Sequence, residues 1–204
     1  MIPLYQFSSD NSSMFFLILI SFLSIGLLRA FYWKHAKLLL IAPFQYRYAS
    51  QYLRQENAFT ERVNWLSFII LLINFSLVLA FNEQVLFFET PLLIISLVAA
   101  FYFLKYYIIK FLGNLLFINE VARLTAFYTF LSDKALAILI SPLILILYYF
   151  FIDIDFFILY LIFFFSICFL FFKLYWIWKA GTNSFGLSSI YIFLYLCILE
   201  IYPF

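Results

Sequence analysis

The stretch "FFILYLIFFFSICFLFFKLYWIW" at residues 156–178 decides the fold class, because Lys173 is its only charged residue. A helix needs about 20 predominantly apolar residues to cross a hydrocarbon core about 30 Å thick. The whole chain has this character, since 68% of its 204 residues are hydrophobic and 11% are charged. Globular chains average about 45–50% apolar and about 25% charged residues. The sequence therefore predicts an integral membrane protein.

Apolar segments long enough to span a bilayer recur along the chain. Six are expected: 14–32, 65–82, 91–110, 135–151, 156–178 and 188–204. The stretches "PFQYRYASQYLRQEN" (43–57) and "NLLFINEVARLTAFYTFLSDK" (114–134) are too polar to span but have one apolar side. We therefore expect an all-α polytopic membrane protein with about six transmembrane helices and two cytoplasmic interfacial amphipathic helices, in a single domain covering residues 1–204.

The distribution of charge predicts the orientation of the chain. With six spans, all 12 lysines and arginines lie on one side, whereas the opposite side carries only acids: Asp10, Glu83, Glu89, Asp153 and Asp155. Basic residues near span ends are retained in the cytoplasm. We expect a bacterial inner-membrane protein with both termini in the periplasm. Because no basic residue precedes Arg29, the first span is expected to be a retained helix rather than a signal peptide.

The two interfacial helices supply four candidate contacts for anionic lipid or for partners. In the first helix, Phe44, Tyr48 and Tyr52 recur at four-residue spacing on one side. The opposite side carries the candidate residues Arg47, Gln51 and Arg54. In the second helix, one side is formed by Leu116, Val121, Leu124 and Tyr128. The fourth candidate, Arg123, is three residues from Glu120 and is predicted to pair with it.

Two polar residues within predicted spans are the remaining candidates. Asn74 lies near the centre of its span, where an amide needs a partner, and interhelical hydrogen bonding is the expected role. Glu200 lies about 18 Å along a span that begins near Ser188, at 1.5 Å per residue, and therefore near the outer surface. It is predicted either to anchor the helix at that interface beside Tyr202 or to accept a hydrogen bond from another span or subunit.

Several classes of chemistry are disfavoured by the composition. The one histidine, His35, cannot form a two-histidine metal site, and Cys168 and Cys197 lie in apolar runs. The sequence has no glycine-rich phosphate loop and no acidic metal cluster. No catalytic, cofactor-binding or metal-binding residue is therefore predicted. With a net charge of +2, no nucleic-acid partner is expected.

Three blocks of the sequence resemble a known family. They are "FQYRYASQYLRQENAFTERVNWLSFIILLINFSLVL", "RLTAFYTFLSDKALAILISPLIL" and "SSIYIFLYLCILEIYPF". In this order they are similar to the recurring blocks of a bacterial integral-membrane family typical of Bacteroidetes, catalogued as domain of unknown function 4271. The resemblance implies an inner-membrane protein of several spans. It implies no catalytic residue, and it favours the "SQYLRQEN" segment and Glu200 as interaction sites.

Two function classes remain open at this point, and we expect the first. It is a non-enzymatic accessory or scaffold subunit of a larger inner-membrane complex, serving envelope biogenesis or protein export, whose partners are other integral membrane proteins. The alternative is an enzyme or carrier for a lipid-linked anionic substrate at the cytoplasmic face, with a cavity lined by Arg47, Arg54 or Arg123. A transporter using Asn74 and Glu200 ranks below both, because glycine and proline rarely interrupt the spans.

Overall fold

In the computed structural model, residues 11–45, 48, 52, 58–82, 91–115, 119–149 and 155–185 are described. They form six helices and, within those ranges, no strand: α1 (Asn11–Phe31), α2 (Trp33–Ile41), α3 (Ala58–Asn82), α4 (Pro91–Leu115), α5 (Asn119–Tyr149) and α6 (Asp155–Phe185). All except the short α2 are long and apolar enough to cross a membrane. The all-α class is confirmed. Five of the six predicted spans fall on these helices, and the sixth, 188–204, lies outside the described residues.

Helices α3 and α5 form the centre of the bundle. In each, 50% of the apolar window is buried, compared with 22% to 28% in α1, α4 and α6. Helix α3 contacts α1, α4 and α5, whereas α5 contacts α3, α4 and α6. The outer helices therefore turn most of their apolar side chains away from the protein, as expected of helices that face lipid.

Contacts between the helices fix their relative directions. Ser21 of α1 contacts Asn74 of α3, and Tyr32, just after α1, contacts Arg62 near the start of α3, so these two helices are antiparallel. Helices α3 and α5 run parallel, because Asn64 contacts Lys134 near the start of α3 and Leu77 contacts Tyr148 farther along both helices.

Helix α4 is antiparallel to α5. Ile109 packs on Ala122, while Val98, earlier in α4, clusters with Ala137, later in α5. Helix α6 returns along α5, since only residues 150–154 separate the two helices and Lys173 contacts Asp133. One end of the bundle, called here the basic end, therefore collects cations from every long helix: Arg29, Arg62, Lys110, Arg123 and Lys179.

The region predicted as a separate second interfacial helix has a different structure. Residues 119–134 form the first half of α5 and continue without a break into the span. The polar residues Thr125, Thr129 and Ser132 of this stretch are 2%, 0% and 3% exposed. They face neighbouring helices, and no glycine or proline interrupts residues 119–134. The prediction failed because small polar residues can be packed between helices.

Helix α2 was not predicted as a separate element. It buries Ala36, Leu38 and Leu39 against the bundle just after α1. The chain that follows is held against α6, because Trp176 Nε1 donates a hydrogen bond to the Pro43 carbonyl at 2.8 Å. The Phe44 ring meets Phe169 and Phe172 edge to face, both at 5.3 Å between ring centroids.

Candidate functional site: a cation-lined cavity

A cavity of about 570 Å³ opens at the basic end between α3, α4 and α5. Its size falls within the range of about 300–1,000 Å³ that is usual for ligand pockets. The described lining residues are Tyr52, Asn64, Tyr106, Ile109, Lys110, Asn114, Ala122, Arg123, Ala126, Phe127, Phe130, Leu131 and Lys134. The cavity is therefore large enough for the headgroup of an amphiphile.

Helical spacing places these side chains on shared faces. On α4, Lys110 and Asn114 are four residues apart and so lie one above the other. On α5, the lining positions run from Ala122 to Lys134 in steps of three and four residues. Ile109 and Ala122 pack together where α4 and α5 approach at the basic end. The cavity is thus bounded by one face of each helix.

Farther along α5 from the end of the bundle, the cavity contains a hydrogen-bonded group that we call the inner set: Tyr52, Asn64 and Lys134. The Asn64 Oδ1 atom accepts hydrogen bonds from Tyr52 Oη at 3.0 Å and from Lys134 Nζ at 3.1 Å. Because an ammonium can only donate, the amide must present its oxygen to Lys134. The Asn64 Nδ2 group therefore remains a donor on the other side of the amide.

Tyr52 is the most buried of the polar residues in the cavity. Its side chain is 4% exposed, and its ring lies 6.1 Å from that of Phe127. Burial raises the pKa of the Tyr52 phenol to about 12. The phenol therefore stays protonated at neutral pH and continues to donate to Asn64.

Nearer the end of the bundle lies the outer set: Lys110, Asn114 and Arg123. Lys110 and Asn114 are exposed and come from the last turns of α4, whereas Arg123 comes from the first turns of α5. Eleven residues separate Arg123 from Lys134, which corresponds to about 16 Å along the axis of α5. Apolar groups including Phe127 and Leu131 occupy the wall between the two sets.

All charged side chains among the described lining residues of the cavity are positive. Lys110, Arg123 and Lys134 line it, and no carboxylate occurs among its described lining residues. Asp133, the residue directly before Lys134 in the sequence, does not line the cavity; its carboxylate contacts Lys173 of α6 at 3.4 Å. Among the described residues, the partner of the Lys134 ammonium is a neutral amide oxygen. A cleft lined by charge of one sign between apolar walls concentrates counter-ions, and this cavity therefore attracts anions.

Comparison with known proteins places the chain in a family. The family model described as domain of unknown function (DUF4271) matches residues 14–204. The chain belongs to the DUF4271 family. No similar curated protein and no similar solved structure was found. For this DUF4271 protein, an account of function therefore depends on its own site geometry.

Asn74 lies outside the cavity, between three helices. Its Nδ2 atom donates to the Ala137 carbonyl of α5 at 2.8 Å, and its Oδ1 atom accepts from Ser21 Oγ of α1 at 2.7 Å. Asn74 therefore links α3 to both α1 and α5, and the structure places it in the packing of the bundle rather than in the cavity.

The other predicted site residues have different outcomes. Arg123 lines the cavity, whereas Arg47, Gln51, Arg54 and Glu200 lie outside the described residues. No group of three or more histidine, cysteine, aspartate or glutamate residues within the described ranges could hold a metal ion.

Sequence reasoning missed most of the cavity residues. Neither Lys134 nor Lys110 was among the predicted candidate residues. The four-residue spacing of Lys110 and Asn114 was the available signal on α4. Nothing in the sequence connected Tyr52 and Asn64 with Lys134, because that contact depends on the packing of α3 against α5.

Proposed function

We propose that this DUF4271 protein binds the anionic headgroup of an amphiphile in the cavity at the basic end. The observation that carries the proposal is the Lys134 ammonium, which lines a cavity of about 570 Å³ and has a neutral amide as its described partner. A phosphate there would gain charge-assisted hydrogen bonds from Lys134 and from the Asn64 amide. The apolar wall at Phe127, Phe130 and Leu131 suits the glycerol and first methylene groups of a lipid.

The proposed setting is the bacterial inner membrane, with the basic end on the cytoplasmic side, six spans and both termini in the periplasm. Positive residues near the ends of all five described long helices support this orientation. In it, the cavity lies at the level of the lipid headgroups. Anionic lipids of the cytoplasmic leaflet are then its nearest source of ligand, and each basic residue near that surface adds about 1 kcal/mol to the attraction.

The lining residues favour binding over catalysis. The described ones offer ammonium, guanidinium, amide and phenol groups, but no imidazole, carboxylate or thiol, the groups most often used as general base or nucleophile. The proposed role is therefore to hold or present an anionic amphiphile rather than to transform it.

Lipid binding to the purified full chain tests the proposal. In nanodiscs of zwitterionic lipid doped with an anionic phospholipid, native mass spectrometry should show retained anionic lipid. Lys134→Gln should reduce this retention about tenfold, whereas Lys37→Gln, which changes an exposed cation of α2 outside the cavity, should have little effect. Equal retention of anionic and zwitterionic lipid by the unmodified chain would rule the proposal out.

A second candidate is an accessory subunit of a larger inner-membrane complex, serving envelope biogenesis or protein export. It is favoured by the outer face of α4, where Phe103, Tyr107 and Phe111 recur at four-residue spacing and are 58%, 65% and 66% exposed. These rings form one continuous stripe that reaches the level of Lys110, where lipid tails give way to headgroups. The face would pack against another integral membrane protein.

Purification at native expression level tests the second candidate. A defined membrane partner should co-purify with the unmodified chain, and replacement of Phe103, Tyr107 and Phe111 by leucine should release it. Replacement of Phe163, Phe164 and Phe171 on α6 is the matched control, since these rings are also exposed. Recovery of a homogeneous monomer from the unmodified chain would contradict this candidate.

A further inference from the structure

The cavity contains two ammonium and carboxamide pairs rather than one. In the inner set, Lys134 is next to Asn64, with 3.1 Å between Nζ and Oδ1. In the outer set, Lys110 and Asn114 lie one turn apart on the same face of α4. An ammonium with a neighbouring N–H donor is a suitable receptor for one phosphate group, because charge-assisted hydrogen bonds are stronger than neutral ones. Each pair therefore offers an ammonium and a carboxamide N–H group to one anionic group.

The two pairs lie at different levels along the axis of the bundle. Ile109 packs on Ala122, so Lys110 lies close to the level of Ala122 on α5. Twelve residues separate Ala122 from Lys134, so the backbone levels of the two lysines differ by about 18 Å along the helix axis. Side chains lean toward the N-terminus of their own helix, so Lys134 on α5 and Lys110 on the antiparallel α4 lean toward each other, and the gap between their ammonium groups is shorter than this. The hydrogen bond to Asn64 holds the Lys134 ammonium in the inner set. One small anion in the inner set would therefore leave Lys110 and Asn114 without a role in binding.

The volume of the cavity leads to the same conclusion. A water molecule takes a share of about 30 Å³ in the liquid, so a cavity of about 570 Å³ has room for roughly nineteen waters. A single phosphate has five heavy atoms and would fill only a small part of this space. A ligand several times larger than phosphate can therefore be accommodated, and it would reach the cations near both ends.

We infer that the cavity binds a ligand with two phosphate groups joined by a short linker, one phosphate in the inner set and one at Lys110 and Asn114. The inference rests on the proposed function and deepens it by naming the class of ligand. Apolar side chains between the sets, Phe127 and Leu131 among them, contact the linker. The source of such a ligand is either a lipid with a bis-phosphate headgroup or a soluble bis-phosphate from the cytoplasm.

Comparison of one-phosphate and two-phosphate ligands tests the inference. The full chain in zwitterionic nanodiscs is titrated with cardiolipin, with phosphatidylglycerol at equal phosphate concentration, and with soluble glycerol 1,3-bisphosphate as competitor. Cardiolipin is expected to bind at least tenfold more tightly than phosphatidylglycerol. Lys134→Gln and Lys110→Gln should each remove most of this preference, whereas Lys37→Gln should retain it. Thermal unfolding of each variant confirms that the fold is intact.

The outcomes distinguish the inference from the proposed function. If both lipids bind with the same affinity per phosphate and Lys134→Gln weakens both equally, the cavity holds one anion, and the inference is wrong while the proposed function stands. If no variant in the cavity alters binding more than Lys37→Gln does, both fail. When cardiolipin is preferred, competition by glycerol 1,3-bisphosphate assigns the ligand to the soluble pool, and lack of competition assigns it to the membrane.

Discussion

The Lys134 ammonium donates to the side-chain oxygen of Asn64 across 3.1 Å, and this contact joins the basic-end parts of α3 and α5. The amide carries no charge, so it orients the ammonium without neutralising it. The carboxylate next to Lys134 in the sequence, Asp133, contacts Lys173 on α6 instead. The cavity therefore keeps a positive charge that a carboxylate at position 64 would cancel.

Replacement of the Asn64 amide by an acid should weaken anion binding. Asn64→Asp keeps the size and shape of the side chain but places a carboxylate beside Lys134. The new ion pair should lower affinity for anionic lipid at least tenfold in native mass spectrometry, because the carboxylate both neutralises Lys134 and repels phosphate. Gln45→Glu makes the same amide-to-acid change at an exposed position outside the cavity and should have little effect. Undiminished binding by Asn64→Asp would remove Lys134 from the site.

Tyr52 should make the stability of the protein depend on pH in the alkaline range. Burial raises its pKa from 10.0 to about 12, so the folded protein holds this proton more tightly than the unfolded chain does. Its contribution to the free energy of unfolding is complete below pH 10 and is lost as the pH rises through 12. For a two-unit shift this amounts to about 2 to 3 kcal/mol.

The Tyr52→Phe variant isolates this contribution. At pH 8 it should be less stable than the unmodified protein by about 1 kcal/mol, because the hydrogen bond to Asn64 is lost. Between pH 10 and 12 the unmodified protein should lose stability more steeply than the variant, so the difference shrinks or reverses. Thermal unfolding in detergent at a series of pH values measures both slopes. Parallel slopes would contradict the role given to the buried phenol.

Asn74 should stabilise the bundle without affecting the cavity. Asn74→Leu removes the hydrogen bonds to Ser21 and Ala137 and leaves buried polar groups without these partners. The free energy of unfolding in mixed micelles should fall by about 1 to 3 kcal/mol. Ser21→Ala should cost less, about 0.6 kcal/mol, the average for interhelical hydrogen bonds in a membrane protein. Affinity for anionic lipid should not change.

Ser96, whose hydrogen bond stays within one helix, provides the control for the Asn74 prediction. Ser96 is exposed and donates to the Leu93 carbonyl within α4, so Ser96→Ala should have little effect on stability. An Asn74→Leu variant as stable as the unmodified protein would show that the contacts to α1 and α5 contribute nothing to the fold.

The ion pair between Asp133 and Lys173 should behave as a buried pair. The exposed fractions of the two side chains are 16% and 4%, and Asp133→Asn leaves the lysine in the interior without its carboxylate. This variant should lose about 3 kcal/mol of unfolding free energy. The double variant Asp133→Leu with Lys173→Met should be more stable than Asp133→Asn, because it removes both charges. Denaturant unfolding of the unmodified protein, Asp133→Asn and the double variant measures this order of stability. A double variant less stable than Asp133→Asn would show that the pair is not desolvated.

The sequence predicted the spans well where composition alone decides them. The third predicted span begins at Pro91, as α4 does, because proline is suited to the first turn of a helix. The start of the fourth was placed at residue 135, whereas α5 begins at Asn119. The stretch before residue 135 was predicted to be too polar to span, but its Thr125 and Thr129 are buried. Composition predicts which residues are apolar but not which polar residues a neighbouring helix covers.

The sequence predicted that the candidate site would be positively charged, but not which residues meet there. The clustering of lysine and arginine on one side of the bundle followed from the sequence, and Arg123, one of three arginines named for a cavity in the alternative function, is among the residues that line this one. Tyr52, Asn64 and Lys134 are separated by twelve to eighty-two residues in the chain. Tyr52 and Lys134 both donate to the Asn64 side-chain oxygen. This meeting depends on how α3 packs against α5, which periodicity within a single helix cannot show.

Photoaffinity labelling tests the central claim most directly, because it locates the headgroup on the protein. The full chain is reconstituted in vesicles that contain an anionic phospholipid with a photoreactive headgroup, irradiated and digested for mass spectrometry. We expect labelling of α5 between Ala126 and Lys134, suppressed by unlabelled anionic lipid but not by zwitterionic lipid, and lost in Asn64→Asp. Labelling confined to outward-facing residues such as Tyr107 and Phe111, unchanged in that variant, would contradict the claim that the cavity binds an anionic headgroup.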